Sequence, residues 1–117
     1  MIRLIALLPR RPDLTHAEFM EHWIERHAPL IAGCGVGRHV LRYEQHEVAH
    51  PQGWPEPQFD GMTVQWFESS DAFMASLAEP DNALIREDEG RFLDMTRLEW
   101  MLTEDPPRVP MNSIDTP

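Results

Sequence analysis

The chain opens on Ile2 to Leu8 (IRLIALL), an almost continuous apolar run halted by Pro9. A short apolar run that stops at a proline predicts a strand buried on both faces. Residues 10–14 read as a turn, with Pro12 and Asp13 as breakers. Thr15-His16-Ala17-Glu18 then spells a capping box, in which the threonine hydroxyl and the glutamate carboxylate satisfy free backbone N–H groups. The helix it opens is expected over residues 15–31, ending ahead of Gly33, Gly35 and Gly37, with Pro29 disturbing its last turn. Residues 38–48 follow as a strand whose alternation places His39, Leu41, Tyr43 and Gln45 on one face.

Pro51, Gly53, Pro55 and Pro57 make residues 49–60 a loop, and residues 61–67 (GMTVQWF) a third strand. Ser69 or Ser70 caps a second helix over about 71–77, Pro80 interrupts it, and helix resumes over roughly 82–93. Residues 97–103 (RLEWMLT) form the fourth strand. The order is β-α-β-β-α-β, an α+β, ferredoxin-like arrangement with a four-stranded antiparallel sheet. One domain is expected over residues 1–104, followed by an extended tail, 105–117, that carries Pro106, Pro107, Pro110 and Pro117.

Right-handed crossovers put both helices on one face of the sheet. The first strand is nevertheless apolar on both: Ile2, Leu4, Ala6 and Leu8 against Ile5 and Leu7. The other strands repeat this, with Met62, Val64 and Trp66 opposed to Phe67, and Leu98, Trp100 and Leu102 opposed to Met101. Water is a poor neighbour for so much apolar surface, so the sheet is expected to pack against a second copy of the chain.

Charge narrows the partners. Ten Lys and Arg against 20 Asp and Glu give a formal net charge of −10, which disfavours nucleic acid and anionic membranes. Much of the excess lies between Glu68 and Glu104, where Asp71, Glu79, Asp81, Glu87, Asp88, Glu89 and Asp94 are read as a solvated helix face. Cys34 stands alone, so neither an internal disulfide nor a Cys-based zinc site is expected, which fits a reducing, cytoplasmic setting. The apolar N-terminus is too short for a signal peptide or a membrane span.

The segment Phe19-Met20-Glu21-His22-Trp23-Ile24-Glu25-Arg26-His27-Ala28-Pro29-Leu30 resembles the first-helix signature of the EthD family, F-x-x-H-W-x-x-x-H-A-P-L, a family named for ethyl tert-butyl ether degradation. Phe59-Asp60-Gly61 through Trp66-Phe67-Glu68-Ser69 to Phe73 resembles its D-G and W-F stretch, and Glu89-Gly90-Arg91-Phe92-Leu93-Asp94 its second-helix ending. The resemblance spans residues 1–104. It implies a dimeric α/β barrel with a ligand cavity between helices and sheet. The wider superfamily holds cofactor-free cyclases, dehydratases and isomerases beside heme-degrading monooxygenases, so fold alone selects no reaction.

At 100° per residue, Phe19, Trp23, His27 and Leu30 fall in one arc of the first helix. That arc faces the sheet, so His27 is expected in the interior. A desolvated imidazole stays neutral near pH 7 and can act as a general acid/base on carbon beside a carbonyl. Tyr43 is the second catalytic candidate, its phenol polarising a carbonyl. Phe19, Trp23, Trp66 and His22 are expected to shape the substrate pocket, His22 from the arc's edge in a row with Glu18 and Arg26. The plain alternative for each is a core or surface role: a satisfied core histidine, a core tryptophan, a half-buried strand tyrosine, a charge ladder. A five-residue step in an α-helix separates His22 and His27 by about 140°, poor for joint ligation, so no metal site is expected. Gly33, Gly35 and Gly37 follow a helix and precede a strand, the reverse of a dinucleotide-binding loop.

The leading functional expectation is a cofactor-independent enzyme, a lyase, isomerase or cyclase, moving a proton on a small hydrophobic or aromatic-derived carbonyl compound. An oxidoreductase or monooxygenase with His27 as heme ligand, or an accessory oxidation protein, is the second reading. A non-enzymatic protein holding a hydrophobic metabolite is the third.

Overall fold

The computed structural model describes residues 1–111; residues 112–117, the far end of the expected tail, lie outside the described residues. Strand β1 (Ile2–Leu8) leads to helix α1 (His16–His22), a π-helical turn (Trp23–His27) and helix α2 (Ala28–Gly33). A 3-10 helix (Gly35–His39), strands β2 (Arg42–Glu47) and β3 (Gly61–Phe67), helices α3 (Ser70–Leu77) and α4 (Asn82–Phe92), and strand β4 (Glu99–Glu104) complete the domain. The strands are ordered β2-β3-β1-β4, and every neighbouring pair is antiparallel. This is the α+β, ferredoxin-like topology, with β1 at the centre paired to both β3 and β4.

The caps form as the sequence predicts. Thr15 Oγ1 accepts from the Glu18 N–H at 3.1 Å, and the Glu18 carboxylate accepts from the Thr15 N–H at 2.9 Å. Ser69 caps α3 by accepting from the Ala72 N–H at 3.1 Å.

Two elements depart from expectation. Strand β2 starts at Arg42 instead of residue 38, because residues 35–39 wind into the 3-10 helix. A side chain at Gly37 would collide with the Ile31 carbonyl, and its absence lets the chain fold back tightly over the end of α2. The predicted single helix over residues 15–31 is also split by the π turn, in which the Ala28 N–H donates to the Trp23 carbonyl five residues back. Pro29 explains the position of this wide turn. It has no N–H to donate, and its ring crowds the Glu25 carbonyl, so the turn before it widens. Gln45 on β2 donates its side-chain N–H to the same Trp23 carbonyl at 3.2 Å and pins the turn to the sheet.

The helices cover one face of the sheet. Ala6 and Leu8 of β1 pack there with Phe19, Trp23, Phe92 and Leu93, Ile2 and Phe67 pack with Phe73, and Ile31, Cys34, Val36 and Ile85 close the far end. Gly61 shapes this core. A β-carbon there would lie 2.6 Å from Trp23 Cζ3, because the indole edge rests directly on the glycine backbone. Gly61→Ala therefore overpacks a fully buried tryptophan. We expect a loss of about 1–3 kcal/mol in stability, read from the urea midpoint at unchanged slope.

No helix among the described residues covers the other face of the sheet. Ile5, Leu7, Met62 and Trp66 are half-buried there, and Met101 is exposed. The Arg42 guanidinium lies 5.5 Å from the Trp66 ring centroid.

Candidate active site

Between helices and sheet lies a cavity of about 70 Å³. Its walls are mostly apolar, and His27, Tyr43, Trp23, Arg86 and Glu89 are among the residues that line it. His27 is buried, at 4 % exposure. Its ring packs against Phe92 with centroids 4.9 Å apart. Its Nδ1–H donates to Asp88 Oδ2 at 2.8 Å, and Nε2 has no hydrogen-bond partner among the described residues. The carboxylate on Nδ1 fixes the tautomer, which leaves the Nε2 lone pair free to take a proton.

Asp88 holds a second histidine. His22 Nε2 sits 3.0 Å from each of its carboxylate oxygens, and the His22 ring stacks on Phe92 at 4.7 Å. The expectation that His22 and His27 diverge assumed regular α-helix. The intervening π turn, with its i→i+5 bonding, overlays residues five apart, so both histidines of the His-Trp-x-x-x-His segment reach one carboxylate. Arg91 adds a longer contact to Asp88 at 3.4 Å.

Asp88 and Glu89 were expected on a solvated helix face. Asp88 is instead 6 % exposed, and the Glu89 side chain is 17 % exposed. A sequence signal was present: Ile85, Asp88 and Phe92 fall at i, i+3 and i+7, which puts the acid within the buried stripe of α4. Glu89 accepts from Arg86 at 3.1 Å, and the Arg86 guanidinium lies 4.3 Å from the Trp100 ring centroid. Neither the pair nor Trp100 was assigned to the pocket from sequence, yet all three line the cavity.

Environment sets the protonation of these groups. Burial lowers the His27 pKa below its ordinary 6.5, only partly opposed by the hydrogen bond and charge of Asp88, so the imidazole is neutral at pH 7. Burial works to raise Asp88, but the hydrogen bonds from His27 and His22 outweigh it and hold the carboxyl below its usual range. Burial pushes Glu89 up against the pull of Arg86. Burial also raises Tyr43, keeping the phenol protonated as a hydrogen-bond donor.

Of the residues singled out from sequence, the cavity takes in His27, Tyr43 and Trp23. Three others lie elsewhere. Phe19 is fully buried in the core against Trp23 and Phe92, because it falls a turn short of the cavity. Trp66 lies on the opposite sheet face, since strand alternation puts Gln65 and Phe67, not Trp66, toward the helices. His22 lies behind Asp88, where it supports His27 without lining the cavity. His16 bridges Asp60 at 2.7 Å and Glu47 at 2.8 Å, and these two carboxylates, Glu47 foremost, raise its pKa.

Among the described residues no group of three or more His, Cys, Asp or Glu is placed to hold a metal ion. No helix among them is long and apolar enough to cross a membrane.

Comparison with known proteins places the fold. Among solved structures, an ethyl tert-butyl ether degradation family protein from Bacillus halodurans C-125 superposes with TM-score 0.70 at 21% identity, covering 90% of this chain and 98% of its own. A dimeric ferredoxin-like protein of unknown function from Thermobifida fusca YX matches with TM-score 0.62 at 20% identity, covering 87% and 88%. SnoaB, a cofactor-independent oxygenase from Streptomyces nogalater, gives TM-score 0.62 at 14% identity over 94% and 97%. At these identities the structures share the fold. No curated protein sequence matches the chain. The EthD domain pattern matches residues 11–96, a span that includes both histidines, Trp23, Asp60-Gly61 and Asp88. The chain belongs to the EthD domain family.

Proposed function

We propose that this chain is a cofactor-independent enzyme that moves a proton on a small cyclic or aromatic-derived carbonyl compound, in an isomerisation, cyclisation or dehydration. The observation that carries this reading is the buried His27–Asp88 pair on the wall of an apolar cavity, with Nε2 unpaired. His27 is the general base and returns the proton as general acid, and Asp88 fixes its tautomer and stabilises the imidazolium that forms. His22 holds Asp88 in place, Trp23 shapes the pocket, and Tyr43 donates toward the substrate oxygen. Apolar walls favour an uncharged, compact guest.

The test is proton exchange in D2O. Cyclic ketones and lactones that bind, as read by shifts of the His27 and Trp23 resonances, are followed by proton NMR for loss of the signal beside the carbonyl. Exchange catalysed by the wild-type chain and lost in His27→Gln supports the reading. Bound probes that exchange no faster than in buffer would leave a ligand-binding protein instead.

Sheet-to-sheet pairing of two copies belongs to the same proposal. The half-buried Ile5, Leu7, Met62 and Trp66 support it, as does the dimeric state of the Thermobifida relative. Sedimentation equilibrium is expected to give twice the chain mass, and Met62→Glu, placing a charge on that face, to give the single mass.

A further inference from the structure

We propose that Arg86 is the gate of the cavity: its guanidinium lies across the Trp100 ring at the mouth, and its swing admits a guest and limits the guest's size. The gate serves the active site proposed around His27 and rests on that reading for its use in catalysis.

A ring-shaped guest needs more room than the cavity has. The cavity holds about 70 Å³, whereas a dry protein cavity that takes up benzene measures about 150 Å³. Part of the lining must therefore give way. Most of it cannot: His27, Phe92, Ile85 and Leu8 are buried, and a close-packed interior resists local displacement.

The mouth is different. Of the described residues that line the cavity, Trp100 is the exposed one, at 40 %. It sits on β4, an edge strand of the sheet, opposite Ala6 of β1. Arg86 reaches it from α4, with the guanidinium carbon 4.3 Å from the ring centroid, and the Arg86 side chain is itself 37 % exposed. Two partly exposed side chains from facing walls touch each other, and both line the cavity. They mark the place where it meets solvent.

The contacts that close this mouth break easily. A guanidinium on an exposed indole face is weakly held, and one partly exposed ion pair adds little. Arg86 donates to Glu89 Oε1 at 3.1 Å, and Glu89 lies three residues on along the same helix. That pair steers the guanidinium over Trp100 without tying α4 to β4. An arginine side chain moves between staggered rotamers fast when it is partly exposed, so the mouth opens with no shift of the backbone.

Inert probes read the gate. Xenon is small enough for the cavity as it stands, and benzene is not. Both are titrated into wild-type protein and Arg86→Ala, followed by the methyl signals of Leu8 and Ile85, which line the cavity. An open state populated at about 10 % or less lowers the apparent affinity for benzene by that fraction. Arg86→Ala is therefore expected to bind benzene at least roughly tenfold more tightly than wild type, and xenon equally. Glu89→Gln loosens the hold on the guanidinium while keeping the shape of the wall, and its benzene affinity is expected between the two. In wild-type protein the Trp100 indole N–H signal, identified by its loss in Trp100→Phe, should move as benzene binds and stay in place with xenon. Equal benzene affinity in wild type and Arg86→Ala, no benzene binding to either, or a Trp100 signal unmoved at benzene saturation overturns the gate. Lost xenon binding would reveal a collapsed cavity in Arg86→Ala; Glu89→Gln then decides, and a benzene affinity no higher than wild type overturns the gate. Neither probe can react. Failed proton exchange with the benzene result intact removes the enzyme and leaves the gate, and the opposite pair of results removes the gate alone.

Discussion

His27→Gln is expected to slow catalysed proton exchange by about 10²–10⁴-fold, the range a positioned general base supplies, and to leave the chain folded. Glutamine keeps an amide N–H that can donate to Asp88, and it replaces one buried polar group by another of similar size. What it lacks is a lone pair that takes up a proton near pH 7. The wild-type pH profile carries the same signature. Burial holds the His27 pKa below 6.5, so the reactive neutral form persists under mildly acidic conditions. Activity is therefore expected to stay level from pH 8 down to about 6.5 and to fall only below it, as His27 protonates. Stability changes in the same direction. A histidine freed by unfolding binds its proton near pH 6.5 while the folded one resists, so the unfolded state holds more protons and stability drops as pH falls through that window. Asp88, with its carboxyl held below 3.8, adds a second loss at lower pH, when its own folded value is crossed.

Asp88→Ala is expected to have the largest effect on stability. The carboxylate accepts from His27 at 2.8 Å and lies 3.0 Å from His22, and it is itself buried. Alanine strands both imidazoles beside Phe92 and opens a small void between the first helix and α4. A loss of about 2–4 kcal/mol follows from two unsatisfied groups and a missing side chain, lowering the melting temperature by roughly 10–20 °C in calorimetry. Asp88→Asn separates the two roles of this residue. It fills the space and offers one acceptor oxygen, so most of the stability returns. It removes the negative charge that steadies the imidazolium, so exchange activity still falls on the order of 10²-fold. Recovery of full activity in Asp88→Asn would show that Asp88 supports packing alone.

The fold was legible in the chain because its signals are local. The Thr15–Glu18 capping box, the Ser69 cap and the Pro9 stop act within a few residues, and the elements they open or close begin or end where those signals put them. The helix arc also carried Trp23 and His27 to the cavity, since a burial stripe depends only on helical period. The heart of the site was less accessible. The joining of His22, His27 and Asp88 depends on a π turn that Pro29 induces, and an extra residue in one turn changes every angle computed for a regular helix. Trp66 missed the cavity, which Trp100 lines, for a similar reason. Both strands are apolar on both faces, so composition could not say which tryptophan meets the helices; pairing register decides it. The family-like Asp60-Gly61 pair gains a physical meaning only in three dimensions, where Asp60 holds Arg10 and His16 while Gly61 gives way to Trp23.

The most direct measurement of this account is the side-chain nitrogen spectrum of His27. Long-range 1H–15N correlation at pH 7 is expected to show a neutral ring, protonated at Nδ1 and bare at Nε2, that titrates below pH 6.5. A ring protonated at Nε2, or already cationic at pH 7, would contradict the assignment of His27 as the proton-transfer base.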